Sequence, residues 1–332
     1  MASESGRKKS RHGAEYAVTP SLSPSISVVV PVYGCIGCLD QLCLQLEESL
    51  ATITSRFEII LVDDRSPDNA WSKITVLQAA YPSVKGIRLS RNFGQHIAIT
   101  AGLAAARGDY AVVMDCDLQD PPTLIPALYG KLQEGYDMTL AKRIERSHSP
   151  FRLIAARAYF KLMSKLTDEK VDGSYGSFSM LSRKVIDGFL KFEEKERHYL
   201  FILRWLGFRI GSVDYVHQAR HAGRSSYTLI RLLRHAVDGM LFQASVLLRW
   251  IVGLGFLFAL SGMATAVYLA WRGIFHGALP GWTSLAVLIL VSTGAILVSL
   301  GIIGLYVGKV FDQAKQRPLY VVDVVKEARK SW

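Results

Sequence analysis

From Ile26 onward, short β-branched apolar runs alternate with stretches whose apolar residues recur at helical spacing. Ile26–Val32, Phe57–Val62, Val84–Leu89 and Tyr110–Met114 read as buried strands, and Met138–Ala141 as a weaker fifth. Leu39–Thr54 and Gln95–Arg107 carry helical patterns between them. Such alternation predicts an α/β domain with a mostly parallel sheet. Ligands of these sheets sit beyond the carboxyl ends of the strands, so the polar residues just after each strand are the candidates for chemistry.

The pattern then changes. Phe151–Leu166 predicts a long helix with arginines and lysines among apolar residues. Tyr227–Leu241 places Leu229, Ile230, Leu232, Leu233, Ala236, Val237 and Met240 at helical spacing, with Arg231, Arg234 and His235 between them. That is an amphipathic helix, either interfacial at a membrane or facing an ordinary core. Trp250–Trp271 and Trp282–Val307 contain no charge. Each is long enough to cross a hydrocarbon layer of about 30 Å, which takes roughly 20 helical residues. Tryptophans stand at three of the four ends, where interfacial aromatics belong. The short connector Arg272–Gly281 makes the pair a two-helix transmembrane hairpin.

Arg231, Arg234 and Arg249 precede the hairpin, and Lys309, Lys315 and Arg317 follow it; the connector carries only Arg272. The positive-inside rule therefore expects the large domain and both termini in the cytoplasm. The expected organisation is a basic, disordered arm (1–25), an α/β domain (26–226), an interfacial helix (227–246), two spans (247–308) and a cytoplasmic tail (309–332). Two spans are too few to build a pore.

Composition sharpens this picture. Half of the 332 residues are hydrophobic, and the formal net charge is +11. A basic chain with a membrane segment and no nucleic-acid fold signature points to anionic lipid and phosphorylated ligands rather than nucleic acid. The first 25 residues have no apolar core of the kind a secretory signal needs. Cys35-x-x-Cys38 has no second pair at zinc-site spacing, so the four cysteines are expected to be buried, reduced thiols.

The strongest chemical signal is Asp115-Cys116-Asp117-Leu118-Gln119-Asp120-Pro121-Pro122, directly after a strand. Three carboxylates within six residues repel one another unless a cation is present. Their hard oxygens suit Mg²⁺ or Mn²⁺ shared with substrate phosphates. Asp63-Asp64-Arg65-Ser66-Pro67-Asp68 follows another strand. Its acids could meet a base or ribose, or simply form a helix N-cap turn. No dinucleotide fingerprint, P-loop or nucleophile elbow is present.

With these segments in hand, the chain resembles glycosyltransferase family 2 with a GT-A fold. Within it, the chain is similar to the polyprenyl-phosphate glycosyltransferases, such as dolichyl-phosphate mannose synthases and bactoprenol glucosyltransferases. The segments are VVVPVYG (Val28–Gly34), EIILVDDRSPD (Glu58–Asp68), LSRNFGQHIAITAGL (Leu89–Leu103), GDYAVVMDCDLQDPP (Gly108–Pro122), AGRSSYTLIRLL (Ala222–Leu233) and RPLYVV (Arg317–Val322). The resemblance implies that Pro31, Tyr33, Asp63 and Asp64 hold a nucleoside, and that Arg91, Asn92 and Gly94 lie along a nucleotide-sugar donor. It implies that Asp115, Asp117 and Gln119 meet the metal and diphosphate. Arg143 and Arg157 would face an acceptor phosphate, with Arg220, Ser225 and Tyr227 on a loop closing over the donor. For any single arginine a surface ion pair is the plain alternative.

Gly34-Cys35 stands where relatives have Asn-Glu, and Ser177 where many have an acid; Asp172 is the remaining candidate base. Phe201-Ile202-Leu203-Arg204-Trp205 lacks the glutamine of processive synthases, which argues against polymer extension. The implied reaction is inverting, metal-dependent transfer of one sugar, from UDP-glucose by preference, to undecaprenyl phosphate at a bacterial inner membrane, in a chain that could be tetrameric. The rivals are another membrane-lipid acceptor and a non-catalytic membrane scaffold.

Overall fold

The computed structural model describes residues 23–144, 174–195, 197–216 and 281–329, with scattered helical positions between 255 and 275. Its centre is an eight-stranded sheet: β1 (Ile26–Val32), β2 (Phe57–Asp63), β3 (Val84–Leu89), β4 (Tyr110–Val113), β5 (Met138–Ile144), β6 (Tyr175–Ser182), β7 (Ile210–Val216) and β8 (Val322–Lys326). The order is β7-β5-β6-β4-β1-β2-β3-β8. β4, β1, β2 and β3 run parallel, β6 is antiparallel to both neighbours, and β8 closes the far edge antiparallel to β3. The expected mixed α/β domain with a mostly parallel sheet is therefore present.

The four parallel strands are largely buried on both faces, which is why β1, β2 and β4 are mainly hydrophobic runs rather than alternating ones; β3 carries Lys85 and Arg88. All seven residues of β1 and of β2 are buried. One face is covered by α1 (Leu39–Ala51), α2 (Ala70–Ala80) and α4 (Ile125–Gln133). The other is covered by α3 (Gln95–Ala105), α5 (Arg183–Leu190) and α6 (Tyr199–Trp205). α3 packs tightly on the sheet at Gly102. A Cβ on Gly102 would come within 2.2 Å of Val29 Cγ1 and 3.1 Å of Val62 Cγ2, so only glycine permits this approach.

α7 (Trp282–Ala314) is 33 residues long. It contains the second expected span and runs seven residues past Val307. Its stretch Val291–Ala314 is long and apolar enough to cross a membrane. Ile296, Leu300, Ile303 and Val307 on it are exposed in the isolated chain. The described residues thus establish one such helix. The first span is described only at scattered helical positions, so the hairpin is not established. The expected helices at Phe151–Leu166 and Tyr227–Leu241 and the arm at 1–25 lie outside the described residues, apart from the arm's last three positions.

The segment read from sequence as a tail carries β8. Gln313, at the end of α7, accepts from Lys195 N at 3.2 Å and donates to the Glu193 carbonyl at 3.1 Å. Ser90 N donates to the Val321 carbonyl at 2.9 Å. The carboxyl end of the apolar helix and the α/β domain are therefore tied together.

Candidate active site

The site is assembled where the four parallel strands end. The Asp63–Asp68 turn beyond β2 is held by its own acids. Asp63 is 1% exposed; it accepts from Ser66 N at 2.8 Å, and its Oδ2 lies 3.5 Å from Arg88 Nε. Asp64 accepts from Phe93 N at 2.7 Å and from Gly94 N at 2.8 Å. Gly94 has φ +96°, a conformation that glycine adopts at little cost. Asp64 therefore shapes the Arg91–Gly94 loop that opens α3. Burial raises the pKa of both acids, against the lowering effect of these donors. Both carboxylates thus hold loops together; the helix-capping role that sequence left open beside nucleoside binding is not what they do, since the following helix starts after Asn69 with no side-chain cap.

Beyond β1, Tyr33 is 54% exposed, and Gly34 (φ +68°) donates its N–H to Ser66 Oγ at 2.7 Å. Ile36 N donates to Asp68 Oδ2 at 2.9 Å. The β1 and β2 loops are thus one unit, with the open ring of Tyr33 on it. Pro31 is buried within β1. Arg91 and Asn92 are exposed, and the Arg91 guanidinium lies 4.2 Å from the Phe93 ring centroid. Arg65 (φ +57°) reaches across to Asp323 of β8 at 2.9 Å, so the C-terminal strand walls this side of the site.

The acidic loop beyond β4 is tightly turned. Leu118 is buried at φ +61°, a left-handed backbone unusual for a bulky residue. It anchors the loop and leaves Asp115, Asp117 and Gln119 partly exposed. Asp115 Oδ1 accepts from Gln95 Nε2 at 2.7 Å and from Ser177 Oγ at 2.7 Å. Asp117 Oδ1 accepts from Gln119 N at 3.2 Å. Desolvation, then Asp120 and Asp117, push the Asp115 pKa up to about 6. That is the electrostatic condition a cation relieves. Asp115 and Asp117 fit a hard divalent ion that completes its shell with water and phosphate oxygens, because Mg²⁺ commonly takes only one or two protein carboxylates. Among the described residues, no three His, Cys, Asp or Glu side chains converge on a metal-binding cluster.

Asp120 points inward and is 1% exposed. It accepts from Tyr215 Oη and lies 3.6 Å from Arg143. Arg143 Nε donates to Tyr215 Oη at 3.0 Å. Burial opposes the Arg143 charge, but Asp120 and Tyr215 outweigh it and raise its pKa. A Cβ on Gly176 would fall 2.6 Å from the guanidinium, so β6 passes directly against it.

The acidic loop is therefore linked at one end of the sheet to Arg143 through Asp120 and to the Arg91–Gly94 loop and Asp64 through Gln95 and the start of α3. Asp172, Arg157, Arg220, Ser225 and Tyr227 lie outside the described residues. Sequence reasoning missed Gln95 and Tyr215 as parts of the site, counted Asp120 only as one of the three loop carboxylates, and saw Ser177 only as a departure from the relatives' acid. Gln95 lay within a quoted motif segment, but nothing in spacing marked Tyr215.

The cysteine expectation needs correction. Cys38 and Cys43 are buried and outside any disulfide, as expected, but Cys35 and Cys116 form one. β1 and β4 are adjacent parallel strands, and each cysteine stands three residues past its strand's end. That adjacency, invisible across 81 residues of sequence, brings their Cα atoms to 6.4 Å.

Residues 27–190 match the model of Glycosyl transferase family 2. The chain is 35% identical to the uncharacterized glycosyltransferase YkcC of Bacillus subtilis over 89% of this chain and 92% of that protein. It is 33% identical to the bactoprenol glucosyl transferase of Shigella phage SfV, over 91% and 99% respectively. It is 32% identical to the undecaprenyl-phosphate 4-deoxy-4-formamido-L-arabinose transferase of Klebsiella pneumoniae, over 90% and 93%. Among solved structures it is similar to glucosyl-3-phosphoglycerate synthase from Mycobacterium tuberculosis, with 18% identity, a TM-score of 0.48, and coverage of 67% of this chain and 80% of that one.

Proposed function

Because the chain belongs to glycosyl transferase family 2, we propose that it transfers one sugar from a nucleotide-sugar to a polyprenyl phosphate at the cytoplasmic face of a membrane. The observation that carries this reading is the pairing of the Asp115–Asp117 loop with Arg143 at one end of the sheet, beside a C-terminal segment tied to an apolar helix. Acids that hold a cation and an arginine that can hold a phosphate are the two halves such a transfer needs. Relatives named for bactoprenol and undecaprenyl phosphate support the acceptor class.

The donor's nucleoside would rest on Tyr33 and the Asp63–Asp64 turn, with Arg91, Asn92 and Gly94 along the sugar diphosphate. Asp115, Asp117 and Gln119 would hold Mg²⁺ or Mn²⁺, which supplies charge neutralisation for a departing diphosphate. Arg143 would take the lipid phosphate through its planar fork. A phosphate oxygen is already anionic at neutral pH, so the chain needs no base to create the nucleophile. In-line attack at the anomeric carbon would invert its configuration. Arg157, Arg220, Ser225, Tyr227 and Asp172 would complete the acceptor side and the loop over the donor. UDP-glucose is the preferred donor in this reading. The lipid-linked sugar would then serve cell-envelope glycan modification.

The test is to incubate detergent-solubilised protein with undecaprenyl phosphate, Mg²⁺ and a panel of nucleotide-sugars, and to analyse extracted lipid by mass spectrometry. A new glycolipid from one donor supports the reading and names the sugar. No product from any donor with folded protein contradicts it.

A further inference from the structure

Cys116 sits between Asp115 and Asp117, and Cys35 follows Tyr33 and Gly34. Their disulfide therefore staples the acidic loop to the loop carrying the exposed tyrosine. Both loops stand at the sheet end where ligands of such folds bind. A Cα separation of 6.4 Å is within the span that two thiols bridge without backbone movement. The other two cysteines have no such placement: Cys38 is 3% exposed and Cys43 is 0% exposed, whereas Cys35 and Cys116 each keep 9%. Burial also pushes the Cys43 thiol up to about 12, which leaves it poorly reactive. In the bridged chain, Asp115 is held by Gln95 and Ser177 on the side formed by α3 and β6.

We propose that Cys35 and Cys116 are a redox-modification site, oxidised by a small-molecule disulfide of the glutathione class, and that the bridge closes the donor cleft. The closing half rests on the donor reading above. In the exchange, one cysteine thiolate attacks the small disulfide, forming a mixed disulfide and releasing one small thiol. The second thiolate then attacks the protein sulfur and releases the other. The protein loses two electrons and two protons, and both small thiols carry them away. With the bridge reduced, the two loops move independently and Asp115 can turn from Gln95 and Ser177 towards a cation. With it formed, the loops are pinned and the donor is shut out.

The experiment uses full-length, detergent-solubilised protein equilibrated with oxidised or reduced glutathione. Remaining thiols are blocked with N-ethylmaleimide and disulfide-linked peptides are mapped by mass spectrometry. UDP and GDP binding, each with Mn²⁺, is measured by calorimetry on the same samples. The expected result is a Cys35–Cys116 peptide in the oxidised sample, with nucleotide binding at least about tenfold weaker and restored by dithiothreitol. Cys35→Ser should show the same affinity under both conditions, whereas Cys38→Ser should keep the full difference. Absence of that peptide overturns the site. Equal binding in both states, or tighter binding when oxidised, overturns the gate alone. Failure of both nucleotides to bind either state overturns the gate and the donor reading together.

Discussion

Arg143 and Asp120 lie 3.6 Å apart, joined by Tyr215, which donates to the carboxylate and accepts from Arg143 Nε. The acidic loop thereby fixes the direction of an arginine that the proposed mechanism uses for the acceptor phosphate. Tyr215→Phe keeps the ring against Phe178 and removes only the hydroxyl. Hydrogen bonds to charged groups contribute about 1.5–3 kcal/mol, so KM for the lipid phosphate should rise roughly tenfold, with kcat changing less. Steady-state kinetics at varied acceptor check this. A fall in kcat alone would contradict the assignment.

Asp115 titrates near pH 6, above the ordinary aspartate range, because desolvation and its acidic neighbours disfavour its charge. The folded chain therefore holds this proton more tightly than the unfolded chain does. The stabilisation is fully present below the unfolded value, about 4, and is lost as pH rises through 6. At neutral pH, in EDTA, Asp115→Asn should melt a few degrees higher than the parent and be inactive. Thermal unfolding and turnover check the two halves. A lower melting point would contradict the electrostatic account.

The ion pairs that Asp323 of β8 and Glu327, just past it, make with the rest of the domain should differ sharply; Glu327 also lies 3.7 Å from Arg107. Lys85 Nζ lies 3.1 Å from Glu327, and the lysine side chain is only 5% exposed. Arg65–Asp323 is 45% and 42% exposed. Glu327 itself is 56% exposed, but removing it strands the buried Lys85 charge, whereas exposed pairs contribute about 0–1 kcal/mol. Glu327→Ala should lower the melting temperature clearly more than Asp323→Ala, by calorimetry. The reverse order would contradict this placement of β8.

Gly102→Ala tests the seat of α3. The added methyl would meet the stiff, fully buried Val29 at 2.2 Å. Overpacking of this kind typically costs about 1–3 kcal/mol. Lifting α3 also draws Gln95 from Asp115. Both stability and turnover should fall, measured by chemical denaturation and activity.

β1, β2 and β4 are legible in sequence because strands buried on both faces are mainly apolar runs, and β3 is legible from Val84, Ile87 and Leu89 despite Lys85 and Arg88. β6 and β7 are not: Gly176, Ser177, Ser179 and Ser182 interrupt the first, and Gly211, Ser212 and Asp214 the second. β8 is five residues at an edge, below what periodicity resolves. The acidic loop is legible because three acids cannot cluster after a strand without a reason. The residues that orient it are not, since Gln95, Ser177 and Tyr215 reach it only through the order of strands in the sheet. Asp63 and Asp64 show the converse: their motif is conspicuous in sequence, and their side chains prove to brace loops.

The most direct test of the central claim follows isotope-labelled sugar from its nucleotide donor into undecaprenyl phosphate in the organic phase, comparing the parent with Asp117→Asn at matched folding. Label should enter the lipid with the parent plus Mg²⁺ or Mn²⁺, and fall to background with EDTA or with Asp117→Asn. Equal labelling by the two proteins, or none by the parent with any donor, would contradict the account.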